Sequence, residues 1–279
     1  MTVLKPAQAP PVRAATTAPV RRPVSGRVAA VGLPLLGVAV TVTVWWLVTS
    51  VFDLVHAVVL PPPQDVYAAF SLRVPRLLEH TLATTTSTVA GFAISTVVGV
   101  LIGLALAGSQ VAERMFSPLL VALNAVPKIV LAPLLVVTLG WGQQSILTMV
   151  FLLCFFPIVL STVTGLTSTP ADLAELARSL DASRWQTFRK IRFPAALPQI
   201  FVGLKVAMPL AAIGAVIGEF QAGEEGLGYM TLQFSGMGEN SAAWAAIVLI
   251  GLMSILLYFA LVGFERLLLP WVRETTSAR

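Results

Sequence analysis

Few side chains in this chain of 279 residues have the types and spacing that chemistry requires. The two histidines, His56 and His80, are too sparse for a metal site or a proton relay, and the single cysteine, Cys154, lies within an apolar run. The sequence lacks the Gly-x-x-x-x-Gly-Lys-Ser/Thr motif that binds nucleotide phosphates, and no apolar run carries a pair of acids for proton transfer. We therefore expect no catalytic residue, no metal site and no cofactor of its own in this chain.

Three charged residues lie in or next to apolar runs. A charge in an apolar environment is costly, and such a residue is therefore usually retained for a function. Lys128 follows Pro127, and a helix break at this proline can line a pore. We hypothesise that Lys128 and Glu219 contribute to a solute pathway, which Lys128 makes tolerant of anions. The alternative for Lys128 is that its amine snorkels to the membrane surface or pairs with a neighbouring carbonyl. Lys205, near the end of its apolar run, is expected to snorkel.

The longest polar interruption in the second half of the chain covers residues 167–198. Its stretch Thr169-Pro170-Ala171-Asp172 offers a capping hydroxyl, a proline for the first helical position and an acid, which together are typical of a helix start. Apolar residues then recur at helical spacing, whereas Glu175 and Arg178 lie on the opposite face. The pattern predicts a short amphipathic helix.

A turn at Asp181-Ala182-Ser183 separates this helix from a second one. Ser183 is placed to cap the second helix. The apolar face of that helix consists of Trp185, Phe188 and Ile191. We expect Pro194 and Pro198 to end it, because proline cannot donate a helical hydrogen bond.

The composition indicates an integral membrane protein. Hydrophobic residues make up 57% of the chain, charged residues only 11%, and the mean hydropathy is +0.87. Soluble domains contain about 25% charged residues. The net charge of +5 is explained by basic residues that gather on one side of the membrane, and we expect no nucleic acid partner.

Six apolar runs of about 20–25 residues match the thickness of a hydrocarbon core, about 30 Å. They cover Ala29–Val51, Ala83–Ala107, Met115–Thr138, Ser145–Leu166, Gln199–Gly218 and Ala242–Phe264. The third run is interrupted by Pro118, Pro127 and Pro133, and a modest amphipathic segment, Gln64–His80, precedes the second. The sequence therefore predicts an all-α integral membrane protein with six transmembrane helices and a cytoplasmic loop between the fourth and fifth.

The distribution of Lys and Arg predicts the orientation of the chain. Residues 1–28, rich in Pro, Ala and Arg, are expected to form a disordered tail, followed by a transmembrane domain at 29–266 and a short tail at 267–279. Both tails and segment 167–198 are basic, whereas the segments on the other side carry only two arginines, both before the second span. The positive-inside rule therefore places both termini and segment 167–198 in the cytoplasm.

Glycines with three residues between them allow two of the helices to approach a neighbour closely. The pairs are Gly99-x-x-x-Gly103 in the second span and Gly214-x-x-x-Gly218 in the fifth. In a protein with several spans such pairs usually serve internal packing rather than a dimer interface.

Segment 167–198 resembles the EAA loop of ABC importer permeases, whose pattern is Glu-Ala-Ala, three residues, Gly, nine residues, Ile, any residue, Leu-Pro. The positions that match at this spacing are Glu175, Ala177, Ile191 and Pro194. The positions that differ are Leu176, Asp181 and Phe193. The difference at Asp181 matters most, because the family's Gly allows a positive φ at the turn. Asp181 can still adopt this conformation, at a cost of about 1 kcal/mol.

Further short motifs resemble the nitrate, sulfonate and taurine branch of these permeases. They are Leu60-Pro61-Pro62-Pro63, Val126-Pro127-Lys128, Ala132-Pro133-Leu134, Gly226-Leu227-Gly228-Tyr229, and Glu265-Arg266 followed by Pro270-Trp271. Because the motifs are spread from residue 60 to residue 271, the resemblance covers nearly all of the chain except its first tail.

The resemblance implies the permease subunit of an ATP-driven importer in the bacterial plasma membrane. Its polar loop would be a coupling helix that docks on a cytoplasmic ATP-binding subunit, through Glu175, Ala177, Asp181, Trp185, Phe188, Ile191 and Pro194. An extracytoplasmic binding protein would deliver the solute, and two copies of the chain would form a homodimer within the membrane lipids. The implied solute is a small anion such as a sulfonate, taurine or nitrate, although relatives carry thiamine precursors, riboflavin or bicarbonate.

The residues alone are compatible with a second class of function and disfavour a third. A membrane scaffold would use the basic loop to bind anionic lipid and would need no ATP-binding partner. A membrane-embedded enzyme is disfavoured, because the sequence offers no paired nucleophile and base.

Overall fold

A computed structural model describes residues 26–168, 179 and 181–270 of the chain, and this part contains helices and turns but no strand. The helices are α1 (Gly26–Trp46), α2 (Pro63–Leu72), α3 (Val74–Ala107), α4 (Gln110–Asn124), α5 (Ala132–Leu139), α6 (Gln143–Thr167), α7 (Arg184–Thr187), α8 (Phe193–Ala222), α9 (Leu227–Gly236) and α10 (Asn240–Leu268). The predicted fold class, an all-α membrane protein, is confirmed.

Five helical stretches in the described residues are long and apolar enough to cross a membrane, and there are six if the bent pair α4–α5 is one span. The five are Gly32–Val51, Val74–Ala107, Gln143–Thr167, Trp185–Ala222 and Asn240–Leu268. Several helices extend beyond the predicted apolar runs. The second span, for example, begins at Val74 rather than Ala83, since Pro75 occupies the first turn, where its missing amide costs no hydrogen bond.

The third predicted span is bent rather than straight. Its two halves, α4 and α5, meet at an angle of 77° around a 3₁₀ turn at Lys128–Leu131. Pro127 explains the break, because it lacks an amide and disfavours a helical backbone at Val126. Pro118 lies inside α4, and Pro133 lies in the first turn of α5. The expectation that all three prolines interrupt the span is therefore correct for Pro127 and wrong for Pro118 and Pro133.

The helix that follows the turn at Asp181-Ala182-Ser183 does not end at Pro194 and Pro198, which corrects the sequence-based expectation. Helix α7 continues through a wide π-helical turn, Phe188–Arg192, into α8, so that Trp185–Ala222 is one helical stretch. Pro194 cannot donate to the carbonyl four residues before it, and the wide turn accommodates this missing bond. The turn at 181–183 is thus directly continuous with a membrane-spanning helix.

Helix α6 lies at the centre of the bundle, between α3 and α8. A Cβ on Gly99 or Gly103 of α3, or on Gly214 or Gly218 of α8, would lie within 3.0 Å of atoms of α6. These glycines therefore let the helix backbones approach closely. The prediction that they serve internal packing is confirmed.

Buried apolar side chains form two clusters at opposite ends of the bundle. The larger one joins α6, α8 and parts of α3 and α10. Phe188, just before the start of α8, packs against it. The smaller one joins α2, α9, the start of α10 and Leu77 of α3. Segment 181–192 and α9 thus lie at the two ends of α8, which has 30 residues and is about 45 Å long.

Candidate functional site at the two ends of helix α8

Within segment 167–198, a turn at Asp181 precedes α7. The φ angle of this residue is 50°, within the left-handed region that short polar side chains tolerate better than most. Asp181 thus adopts the conformation that the Gly of the EAA pattern would allow and that an Asp tolerates.

Ser183 caps the helix that follows this turn. Its Oγ accepts a hydrogen bond from the Gln186 amide at 3.2 Å, and its own amide donates to Gln186 Oε1 at 2.9 Å. This reciprocal arrangement is a capping box, which fixes the first residue of α7. The predicted role of Ser183 is confirmed, and the cap sets the direction in which Trp185 leaves the turn.

An aromatic pair occupies the surface after the cap. Trp185 is 66% exposed and stacks on Phe188, with ring centroids 5.7 Å apart and planes at 25°. Phe188 in turn contacts the Phe193 ring at 6.0 Å and packs against the larger apolar cluster. Ile191 and Pro194 are half-buried beside this pair. A large exposed indole that is supported by a stacked ring is the kind of side chain that anchors a protein interface.

Basic side chains surround the aromatic pair. Arg189, Lys190 and Arg192 are all exposed. The two remaining predicted coupling residues, Glu175 and Ala177, lie outside the described residues, so that their position relative to Trp185 stays a prediction.

Lys128 is buried at the break between α4 and α5, with 9% of its surface exposed. Its Nζ donates to the backbone oxygen of Asn124 at 2.9 Å and to Asn124 Oδ1 at 3.0 Å. The ammonium also lies 4.9 Å from the centroid of the Phe156 ring. It therefore balances the partial negative charge at the C-terminal end of α4. The expected pairing with a neighbouring carbonyl is observed, whereas a role in the solute pathway stays a prediction.

Lys205 does not snorkel, which corrects the sequence-based expectation. Its Nζ bonds both carboxylate oxygens of Glu265 at 2.9 Å, and the two side chains are 24% and 19% exposed. The pair joins α8 to α10. Because its members are 60 residues apart, no local pattern indicated it.

Glu219 lies at the opposite end of α8 and is only 2% exposed. Its Oε2 accepts a hydrogen bond from the Gly228 amide at 2.7 Å, whereas Oε1 has no partner among the described residues. A Cβ on Gly226 or Gly228 would overlap this carboxyl group, and Gly226 also has a φ of 106°. The two glycines of the Gly-Leu-Gly-Tyr motif thus let the carboxyl group reach the backbone.

Two residues of α3 bind the same turn. The Gly226 amide donates to His80 Nδ1 at 2.9 Å, and the Leu227 amide donates to Thr84 Oγ1 at 2.7 Å. The first amides of a helix have no partner within it, so these side chains together with Glu219 cap α9. Sequence reasoning missed this role of His80 and Thr84, because the bonds join residues 146 and 143 positions apart.

An exposed tryptophan that stacks on a half-buried phenylalanine lies at one end of α8, and the polar cap of α9 lies at the other. Within the described residues, no group of three or more His, Cys, Asp and Glu side chains could hold a metal ion.

Residues 95–274 match the family described as "binding-protein-dependent transport system inner membrane component". The matching range contains Lys128, residues 181–194, Glu219 and the turn at 226–228, whereas His80 and Thr84 lie before it. Most of both apolar clusters also falls within this range, so that the family match covers the core of the bundle as well as the candidate site.

Relatives with stated transport roles match over most of the chain. The chain is 36% identical to the formylaminopyrimidine transport permease protein of Halalkalibacterium halodurans, over 77% of this chain and 86% of the relative. It is 34% identical to the riboflavin transport system permease protein of Chloroflexus aurantiacus, over 85% and 91%. Identity to the taurine transport system permease protein of Escherichia coli is 29%, over 85% and 88%.

A solved structure shares the fold. An inward-facing conformation of the MetNI methionine ABC transporter matches with a TM-score of 0.59 at 22% identity, over 69% of this chain and 96% of that chain. The fold, the family match and the relatives agree. The chain therefore belongs to the family of binding-protein-dependent transport system inner membrane components, and it is the permease subunit of an ABC importer, which works with separate ATP-binding subunits and a substrate-binding protein.

Proposed function

We propose that this permease imports a small organic or inorganic anion, such as a sulfonate, taurine or nitrate, by alternating access. The observation that carries the proposal is the position of Lys128, a buried cation at the break of a bent span. In transporters, solutes are commonly bound where a membrane helix is discontinuous. The similarity to the taurine permease over 85% of the chain also supports a solute with a negatively charged group, since taurine carries a sulfonate.

The charge of Lys128 acts at a fixed place in this proposal. Asn124 and Phe156 hold the ammonium, so that it presents a positive potential at the break without moving. An anion that passes this point is stabilised by the potential, whereas a cation is repelled. Glu219, the other pathway candidate, contributes indirectly by positioning α9.

Coupling to ATP hydrolysis is proposed to run through the EAA-type segment. The coupling residues are Glu175, Ala177, Asp181, Trp185, Phe188, Ile191 and Pro194. Trp185 is the anchor, because it is exposed and supported by Phe188. The uninterrupted helical stretch from Trp185 to Ala222 supports this role, since a displacement at the docking end is carried into the membrane.

The assembly is proposed on the resemblance of the chain to its family. Two copies of the chain form a homodimer around the path, within the lipids of the bacterial plasma membrane. Both termini and segment 167–198 face the cytoplasm, where the ATP-binding subunits dock, as the distribution of basic residues indicates. ATP is bound by the partner subunit, and this chain holds no cofactor.

A heterocyclic solute is the second candidate. It is favoured by the higher identity to the formylaminopyrimidine and riboflavin permeases, 36% and 34%, than to the taurine permease, 29%. A thiamine precursor or riboflavin would need no cation in the path, so that the charge of Lys128 would matter less for uptake.

Uptake measurements distinguish the two candidates. Cells that express the complete transporter would be given radiolabelled taurine, nitrate or riboflavin, with Trp185→Ala as the uncoupled control. We expect uptake of taurine or nitrate that depends on ATP and is absent in the control. Uptake of riboflavin alone, with neither anion transported, would overturn the proposal of an anion and favour the heterocycle.

A further inference from the structure

The first turn of α9 is attached to the bundle through side chains of other helices. The amides of Gly226, Leu227 and Gly228 each donate to a side chain, and the helical bonds begin with the Met230 amide, which donates to the Gly226 carbonyl. The start of α9 is therefore held in place by acceptors on α3 and α8. Loss of one acceptor leaves a buried amide without a partner.

Glu219 provides the attachment to α8. It is the one buried acid among the described residues, and it lies in the last turn of α8, which ends at Ala222. A carboxylate at a helix N-terminus is favourable, because the free amides there carry partial positive charge. A buried carboxylate with one unpaired oxygen is otherwise costly, which indicates that this contact has a use beyond filling space.

The other end of the same helical stretch carries the coupling segment. Trp185 and Glu219 both belong to the stretch Trp185–Ala222, and no break separates them. Such a stretch would carry a displacement of the docking end to the turn that holds α9. The buried face of α9, with Leu227, Met230 and Phe234, packs in the smaller cluster against residues of α2 and α10.

We propose that Glu219 is the joint through which α9 moves with α8 during transport, and that His80 and Thr84 tie the same turn to α3. Glu219 is a positioning residue in this proposal, since it acts through the backbone of α9. The proposal rests on the coupling role proposed for segment 181–194, because that segment is the source of the movement.

Conservative variants separate this role from a merely space-filling one. Glu219→Gln keeps an oxygen that accepts from the Gly228 amide, whereas Glu219→Leu has a similar volume and no acceptor. Thr84→Ser and Thr84→Val form a second such pair for the Leu227 amide. Thr88→Val is the matched control, since Thr88 is also fully buried on α3 but its hydroxyl bonds only the Thr84 carbonyl of its own helix.

Hydrogen–deuterium exchange of the complete transporter in lipid nanodiscs tests the joint. Exchange is followed in the peptides that contain residues 181–192 and 224–232, without nucleotide and after trapping with ATP and vanadate. In the wild type and in Glu219→Gln, we expect trapping to change exchange in both peptides. In Glu219→Leu and Thr84→Val, we expect amides 226–228 to exchange about tenfold faster without nucleotide, which corresponds to about 1.4 kcal/mol for one lost hydrogen bond.

The response to trapping decides the proposal. In Glu219→Leu, the coupling peptide should still respond, and the α9 peptide should no longer do so. An α9 peptide that stays as protected and as responsive as in the wild type would overturn the joint while leaving the coupling segment intact. A wild-type coupling peptide that ignores trapping would instead overturn the coupling role, and with it the source of movement that the joint requires. Thr88→Val should exchange as the wild type does in both peptides, without nucleotide and after trapping.

Discussion

The Glu219 carboxylate on α8 accepts a hydrogen bond from the backbone amide of Gly228 on α9, with 2.7 Å between Oε2 and the nitrogen. The two residues are nine positions apart, and the chain between them turns back on itself at Gly226. The contact explains why the Gly-Leu-Gly-Tyr motif has glycine at both positions, because a Cβ at either would overlap the carboxyl group. The motif and the acid upstream thus form one structural unit.

Gly226→Ala tests this unit against Gly142→Ala. Both glycines precede a helix with similar backbone angles, φ 106° and ψ 165° for Gly226 and φ 100° and ψ −157° for Gly142. Only Gly226 has the Glu219 carboxyl group against it, whereas nothing lies within 4 Å of a Cβ on Gly142. We expect Gly226→Ala to lower the free energy of unfolding in detergent by about 1–3 kcal/mol more than Gly142→Ala. Equal losses would show that backbone strain alone accounts for the glycine.

The turn at Asp181 is tested by comparing Asp181→Gly with Asp181→Ala. The residue has a φ of 50°, which glycine adopts freely and alanine does not. We expect the glycine variant to be more stable than the alanine variant by about 1 kcal/mol. Thermal unfolding followed by tryptophan fluorescence measures the difference. An alanine variant that is as stable as the glycine variant would mean that the turn relaxes to a negative φ.

The pair Lys205–Glu265 is expected to contribute more stability than the pair Arg73–Glu239. Its side chains are 24% and 19% exposed, whereas those of Arg73 and Glu239 are 29% and 42% exposed. Lys205→Met leaves the Glu265 carboxylate unpaired inside the bundle, and we expect a loss of about 2 kcal/mol. Arg73→Met should cost about 0–1 kcal/mol.

A double-mutant cycle isolates this coupling. Lys205→Met combined with Glu265→Leu should lose less stability than the sum of the two single variants, because no charge is then left alone. Additive losses in the cycle would show that the two side chains contribute independently and that their ion pair is not what stabilises the contact between α8 and α10.

The role of Lys128 in the path is tested with Lys128→Met and Phe156→Leu. The first removes the charge, whereas the second removes the ring against which the ammonium lies and keeps the charge. We expect Lys128→Met to lower anion uptake about tenfold, which corresponds to about 1.4 kcal/mol in the barrier, with membrane insertion unchanged. Phe156→Leu should have a smaller effect. Unchanged uptake in Lys128→Met would mean that the residue serves only to cap α4.

Features that depend on near neighbours were predicted correctly from the sequence. The turn at Asp181, whose side chain tolerates a left-handed backbone, and the cap by Ser183 both follow from residue types within a few positions. The spans were found because their apolar runs are long. The end of the helix at Pro194 was mispredicted, since the proline rule ignores the burial of α8 along much of its length, and tertiary packing outweighs a local helix-breaking signal.

Features that join distant parts of the chain were not predictable. The bond from Gly226 to His80 spans 146 positions, and the bond from Lys205 to Glu265 spans 60. In one sequence, nothing marks such residues as partners, because each is explained locally by solvation or helix geometry. Glu219 was noticed only as a charge in an apolar region, and its partner, a backbone amide, has no sequence signal at all.

Co-purification tests the central claim, that this permease docks on an ATP-binding subunit through the segment before α8. The tagged chain would be purified from native membranes in mild detergent as the wild type, as Trp185→Ala and as Trp141→Ala. Trp141 is a matched control, since it is 72% exposed but lies next to Gly142, whose amide bonds the Ala222 carbonyl at the other end of α8.

We expect an ATP-binding subunit to accompany the wild type and Trp141→Ala. In Trp185→Ala, its binding should weaken by about 2 kcal/mol, roughly thirtyfold in affinity, with insertion unchanged. A wild-type chain that purifies without any ATP-binding protein would contradict the account, and so would a partner that is retained equally by all three.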